Sequence, residues 1–329
     1  MKYLLTLLIT LMVSVQLQAA NKEWIFERLN IYAENDVFYA TDKSYSAGQS
    51  FDLLYEIPNE DYALYSLLGN NDVATNSYIT FALANQIFTP TDVATTSLIL
   101  DDRPYAGWTY FETGIHKASK DELRSLTLKI GTVGPASQSE SIQRTYHKIM
   151  NFDKINGWDN QINNELGINL KYTQKWRYKS KTTSDLESAV IPFVSAEVGN
   201  IAINATAGIK ARLGWNIEED FGVSSMNIGA DPGILAYGQK EYSKKRPWGF
   251  SFNLMGAGSA VAHDIFLDGN NFSDSHSVEK ENFVAYYGFG FSVRYQKFLL
   301  DFSQIHNSKQ FKLEKESHTI TSLVASYRY

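Results

Sequence analysis

His147 and Gln143 stand four residues apart in a stretch, Gly134 to Met150, that reads as a helix while the sequence on both sides of it reads as strands. Four residues is just over one helical turn, so an imidazole and an amide project from the same flank. An imidazole titrates near neutral pH, which suits a general base acting on water, provided that water lies within hydrogen-bond reach. Ser137 and Glu140 have capping-box spacing, and Ile142, Tyr146, Ile149 and Met150 form an apolar stripe with His147 beside it. The plainer reading of His147 is a polar residue on the solvated side of a surface helix. A lone helix inserted between strands lies in a loop, where binding and catalysis concentrate.

A second set of residues surrounds the end of the first strand. Glu34, Asn35 and Asp36 close it, and Asp42, Ser44 and Ser46 follow in the turn and the start of the next strand. Carboxylates, an amide and hydroxyls are hard oxygen donors of the kind Ca²⁺ takes six to eight at a time, although the spacing is not that of an EF-hand. Asn and Asp are also ordinary turn residues, and both readings stay open on these residues alone. The other histidines, His116, His263, His276, His306 and His318, show no zinc spacing, and there is neither a G-x-S-x-G elbow nor a phosphate-cradling glycine loop. Gly157 to Gln161, G-W-D-N-Q, fits a turn with an anchoring aromatic or part of a substrate wall.

The elements that must position these residues are strands. From Trp24 onward, blocks of about ten residues alternate with polar turns, a length that crosses a bilayer at a tilt. Strands are predicted near 24–35, 45–56, 76–88, 106–118, 123–133, 164–177, 188–199, 202–215, 248–263, 283–296, 297–306 and 319–329. That makes an even number, about twelve, so that both termini of an antiparallel transmembrane β-barrel lie on one side. The last block alternates in period two, with Thr321, Leu323, Ala325, Tyr327 and Tyr329 on one face and Ser322, Ser326 and Arg328 on the other. If the N-terminus is periplasmic, the connections at 36–44, 89–105 and 134–163 emerge together on the outer face.

Residues 1–20 have Lys2, an apolar core and a small-residue end at Ala19 or Ala20, the pattern of a secretory signal peptide, leaving 21–329 as a single barrel domain. No later segment has 18 consecutive apolar residues, so membrane residence would require a barrel. The chain has no cysteine, and disulfides do not staple the fold. Its formal charge of −6, one unit more negative once Lys2 is removed, argues against nucleic acid as a partner. Aromatics make up 14% of the sequence at a mean hydropathy of −0.27, a mixture that suits alternating lipid-facing and lumen-facing positions with aromatic girdles, though a soluble β-sandwich could share it.

Five ordered blocks then add a resemblance. A-E-N-D-x-F with T-D-K-S-Y-S-A-G (33–48), D-D-R-P-Y-A-G-W (101–108), G-P-A-S with E-S-I-Q-R-T-Y-H (134–147), G-W-D-N-Q (157–161) and H-D-I-F-L-D-G-N (263–270) resemble the outer-membrane lipid A 3′-O-deacylase family. The resemblance implies a twelve-stranded barrel with a Ca²⁺-dependent esterase site at its outer, lipid-facing rim, which removes the 3′-linked acyloxyacyl group of lipid A. By the same resemblance His147 matches the general base and Gln143 the helix glutamine. Asn35 and Asp36 match the essential pair after the first strand, Ser46 falls at a hydroxyl position, and Asp153 replaces the acidic residue after the helix. Asn35, Asp36, Ser46 and Asp153 thus become the expected Ca²⁺ ligands. A basic pair present in some members is missing, since 91–100 contains neither Lys nor Arg, which leaves Lys43 or Arg103 as headgroup contacts.

The expectation is a monomeric esterase of the bacterial outer membrane, among outer-membrane lipids, with lipopolysaccharide as substrate and Ser46 as an alternative covalent nucleophile. The rival is a non-catalytic barrel, either a porin or a lipopolysaccharide-binding protein. A passive pore has no need of an imidazole on an external helix.

Overall fold

The computed structural model describes residues 24–36, 44–57, 63–69, 74–152, 154–181, 186–226, 231–238 and 246–329. The expected signal peptide lies outside these residues, as do Asp42, Lys43 and Asp153. The described residues form twelve barrel strands: β1 Ile25–Asn35, β2 Ser44–Ile57, β3 Asn76–Thr89, β4 Ala106–Ala118, β5 Glu122–Val133 and β6 Glu165–Trp176, then β7 Leu186–Gly199, β8 Ala202–Trp215, β9 Trp248–Asp264, β10 Phe283–Tyr295, β11 Phe298–Asn307 and β12 His318–Arg328. A short segment, Tyr178–Lys181, carries the edge of β6 onward along β7. Every strand pairs antiparallel with its sequence neighbours, and β1 pairs with β12 from Arg28↔Arg328 to Asn35↔Thr321, which closes the barrel. Closure removes both open edges, the condition for placing strands in lipid. Among the described residues no helix is long and apolar enough to cross a membrane, so the strands carry the span.

Alternation along the strands sets the two surfaces. In β1 the side chains of Arg28, Asn30, Tyr32 and Glu34 are buried within the barrel, while Ile31 on the opposite face is exposed. Phe51, Leu83, Ile168, Leu254, Phe291, Leu300 and Leu323 continue the exposed apolar belt around the wall, as a lipid-facing surface requires.

The lumen is filled. The connection between β8 and β9 folds back inside from the end that carries the termini, where Phe221, Ile234 and Ala236 pack against Leu54, Tyr78, Ala118 and Leu123. Buried ion pairs hold it: Arg212 with Asp220, and Glu218 with both Arg28 and Arg328. Higher up, the Met226 amide donates to Glu34, and Met226 joins a core cluster with Phe88, Trp108 and Phe266. A polar cavity of about 130 Å³ remains between these layers, lined by Lys129, Lys171, Glu197 and Asp264 among others. A plugged lumen does not favour the porin reading.

Among the described residues two α-helices interrupt the strands at the outer end: α1, Ser139–Met150, between β5 and β6, and the single turn α2, Ile265–Asp268, after β9. Phe266 of α2 stacks on Phe88 inside the barrel mouth, with ring centroids 4.0 Å apart. The helix α1 lies elsewhere, against β3 and β4.

Candidate active site

Helix α1 packs on the outside of the wall. In β4 the side chains of Trp108 and Tyr110 stack with one another and approach Lys129 in the lumen, so Gly107 and Thr109 face outward. Gly107 is where the helix touches: a Cβ there would stand 2.1 Å from Cβ and Oγ of Ser139. Around this contact Asn85 of β3 donates from Nδ2 to Thr109 Oγ1 (2.8 Å) and to Ser139 Oγ (2.7 Å), while Thr109 Oγ1 donates to the Ser137 carbonyl (2.7 Å). The chain leaves β5 for the helix through Gly134, whose φ of 79° lies in the left-handed region where a side chain is strained.

The expected capping box does not form. The helix begins at Ser139, its N-cap is Gln138 at φ 61°, and residues 135–137 make a 3₁₀ turn instead, so Ser137 falls outside the helix. Ser137 donates its hydroxyl hydrogen to Ser139 Oγ (3.0 Å) and so serves the docking contact, while Glu140 pairs with Arg144. Polar partners on the barrel wall outcompete local capping.

The helix is also turned opposite to what its apolar stripe suggests for a helix in water. Its buried residues are Ser139, Gln143 and His147, spaced by four and facing the wall. His147 is 5% exposed, whereas Ile142, Ile149 and Met150 are 36%, 74% and 49% exposed. The solvated-helix reading of His147 therefore fails. The ring of Phe152 stands edge-on to the imidazole with centroids 5.5 Å apart, and Tyr146 lies beside both.

Gln143 is tied to a second element. Gly157–Asn160 forms a 3₁₀ turn that buries Trp158 completely, and Trp158 Nε1 donates to Gln143 Oε1 at 2.9 Å. Trp158 packs in a cluster with Ala47, Ile87, Tyr105 and Ile155 on the outward side of β2 and β3. Asn156 and Asn160 donate from Nδ2 to the carbonyls of Ala94 and Thr96, which fastens this turn to the connection between β3 and β4. The second and third outer connections thus meet.

Ala47 leads to the oxygen-bearing residues. Ser46, its neighbour, is fully buried, and its hydroxyl shares a short hydrogen bond with Thr89 Oγ1 at the end of β3. A bulge between Tyr45 and Ala47 shifts the β2 register here, with Tyr45 directed to Glu34 in the lumen. The backbone amide of Asp36, also fully buried, donates to the Ser46 carbonyl (3.2 Å). Asn35 is half-buried and shares the outward alternation of Ile31 and Ala33. Ser46, Asp36 and Asn35 therefore converge at one corner of the rim, whose outward side is the side that carries α1. Thr89, Asn85 and Trp158 belong to this surface as well, and only Trp158 had a sequence signal, its motif block.

The donor set is oxygen-only: one carboxylate, one amide and hydroxyls. That chemistry fits a hard cation and not zinc. Among the described residues no three His, Cys, Asp or Glu side chains cluster as a metal site, and Asp36 is the carboxylate described beside Ser46.

Glu34 belongs to the lumen. It accepts from Tyr45, Ser322 and the Met226 amide, which removes it from the rim. Arg103 is likewise not a headgroup contact: it is 1% exposed, stacks over Phe88 and donates to Gln310 Oε1 (3.1 Å). The lumen-facing aromatics and the β11–β12 connection hold it. In that connection Glu314 accepts from Ser44 Oγ (2.9 Å). Burial pushes the Glu314 carboxyl up, but hydrogen bonds from His318 and the Gln310 amide, with the charges of His318 and Arg103, leave it below the usual carboxylate range.

A family model described as outer membrane protein LpxR matches residues 4–329. Comparison with curated protein sequences finds no match. Among solved structures, LpxR from Salmonella typhimurium aligns over 92% of this chain and 100% of its own length, with a TM-score of 0.74 and 17% identity, a likeness of fold. The β domain of the Bordetella autotransporter BrkA aligns over 92% and 97% at 8% identity, but its TM-score of 0.43 is too low to support an argument. With the closed barrel and a family model spanning nearly the whole sequence in agreement, the chain belongs to the LpxR outer membrane protein family, the lipid A deacylase family that its five sequence blocks resemble.

Proposed function

We propose that this protein hydrolyses the 3′-linked acyloxyacyl ester of lipid A, with His147 as the general base. The observation that carries the reading is the orientation of α1: its polar flank, Ser139, Gln143 and His147, is buried against the lipid-facing outside of the barrel. Burying such a flank costs free energy unless the groups find partners, so a lipid-exposed helix turned this way marks function. In the reaction His147 takes a proton from a water, the water oxygen adds to the ester carbonyl carbon, and the bond to the sugar oxygen breaks. The proton held by His147 then passes to the departing sugar oxygen, leaving the free acyloxyacyl carboxylic acid and a 3′-hydroxyl. Gln143, fixed through its carbonyl oxygen by Trp158, turns its amide N–H groups to the other side as donors for developing negative charge.

The implied cation is Ca²⁺. Asn35, Asp36 and Ser46 suit it as hard oxygen ligands, with Asp153 as the further carboxylate, and when bound it supplies polarisation of the ester carbonyl. Ser46 as a covalent nucleophile is not favoured, because its hydroxyl pairs with Thr89 instead of a histidine.

The test is purified protein with purified lipid A, read by mass spectrometry. The wild type is expected to release the acyloxyacyl group, a Ca²⁺-selective chelator to stop it, and added Ca²⁺ to restore it. Lipid A returned intact by the wild type in Ca²⁺ would end the reading, and full activity in excess chelator would remove the ion from it.

A further inference from the structure

Helix α1 has three flanks, one of them the polar strip buried against the wall. Taking 100° per residue, the buried strip of Ser139, Gln143 and His147 separates an apolar flank from a charged one. Ile142, Tyr146 and Ile149 make up the first, and Ile149 is the most exposed apolar residue of the helix. Glu140, Arg144 and Lys148 make up the second, and a shallow cavity of about 360 Å³ runs along it, with Ser141 and Thr145 in its lining.

A helix with apolar and cationic flanks on opposite sides lies along the boundary between acyl chains and headgroups. The exposed apolar belt of the wall continues below it at Leu83 and Ile130. With Ile142 and Ile149 among acyl chains, Arg144 and Lys148 stand at headgroup level, one turn apart on the same flank. Glu140 engages Arg144 through Nε (2.8 Å), and no described residue engages the two Nη nitrogens. An Arg fork beside a Lys point charge is the pairing that recognises phosphate.

We propose that Arg144 and Lys148 bind a phosphate of the glycolipid headgroup in the outer leaflet, which sets the substrate's height so that its ester lies level with His147. This rests on the deacylase reading, and the anion it commits to is membrane-held phosphate.

The experiment compares wild type, R144Q/K148Q and K309Q, an exposed charge on the β11–β12 connection, on lipid A and on phosphatase-treated lipid A in mixed micelles. Gln keeps helix propensity, and the folded band in unheated gels checks the barrel. The wild type is expected to favour phosphorylated lipid A by about tenfold in kcat/KM, an advantage that shrinks with salt. The double variant is expected to lose that advantage through KM, to match the wild type on dephosphorylated lipid A, and K309Q to change neither. Binding of the same two lipids is measured in a His147→Ala background, where turnover does not intervene, with the same tenfold weakening expected. An unchanged KM and affinity for phosphorylated lipid A would overturn the proposal, as would equal losses on both lipids, which indicate a structural role for the two side chains. Failure of the wild type to hydrolyse either lipid strikes the deacylase reading alone, because the binding arm still decides the phosphate site.

Discussion

Trp158 donates its indole N–H to the side-chain oxygen of Gln143 at 2.9 Å, from a position fully shielded from solvent. The indole has a donor and no acceptor, so this bond decides which end of the amide is which and turns the NH₂ group toward the remaining space. Trp158 thereby acts as a positioning residue for a side chain one helical turn from His147.

Trp158→Phe keeps most of the buried ring while removing the donor. The amide is then free to flip, and kcat is expected to fall about tenfold with little change in KM, the loss of about one hydrogen bond felt in the transition state. Steady-state kinetics on lipid A checks this. A fall confined to KM would reassign Gln143 to substrate binding.

Loss of the proposed base is expected to have a larger effect. His147→Ala is expected to slow hydrolysis by roughly 10² to 10⁴ while the barrel stays folded, since α1 packs outside the strand ladders and contributes nothing to closure. His276→Ala makes the matched control, because His276 holds the Asp102 carbonyl in an outer loop at 2.8 Å. Wild-type rates for the His147 variant would refute the base assignment while leaving the family intact.

The docking of α1 depends on a missing side chain. Any Cβ at position 107 meets Ser139 at 2.1 Å, too close for a rotamer change to relieve, so Gly107→Val must push the helix off the wall. Activity is expected to fall by at least about 10²-fold, as misplacement of a catalytic group by about 1 Å does. Thermal unfolding of the barrel is expected to move little, because the strand backbone tolerates Val. Retained activity would mean that the helix need not sit against β4.

The seam of the barrel supplies the last prediction. Arg28 and Arg328 are directly opposed across the closing β1–β12 pair, an arrangement that like charges disfavour. Glu218 bridges them from inside the lumen, at 2.9 Å to Arg28 Nη2 and 2.8 Å to Arg328 Nη1. Glu218→Ala leaves two buried guanidinium groups without this counter-charge and is expected to cost about 3–5 kcal/mol. The temperature at which the compact folded band disappears from detergent gels is the readout. An unchanged temperature would show that the plug does not secure the seam.

Sequence alone was enough for the wall. Period-two alternation is a local property of a strand with lipid on one side and polar lumen on the other, so Ser322, Ser326 and Arg328 could be assigned inward and Leu323, Ala325 and Tyr327 outward before any contact was known. The twelve blocks, the common end of the barrel from which the three outer connections leave and the helix around His147 follow from such local patterns and from strand parity. What only the tertiary structure decided is where polar and apolar surfaces point once lipid replaces water. Hydrophobic periodicity reports the stripe of Ile142, Tyr146 and Ile149 but not whether protein or acyl chains cover it, and on the outside of this barrel the polar flank is the one that turns inward. Ser46 meeting Thr89, Trp158 meeting Gln143 and Arg103 withdrawing into the lumen likewise join residues 43, 15 and 207 positions from their partners. Such contacts are set by the curvature of the closed sheet and the path of its loops, which no local pattern encodes.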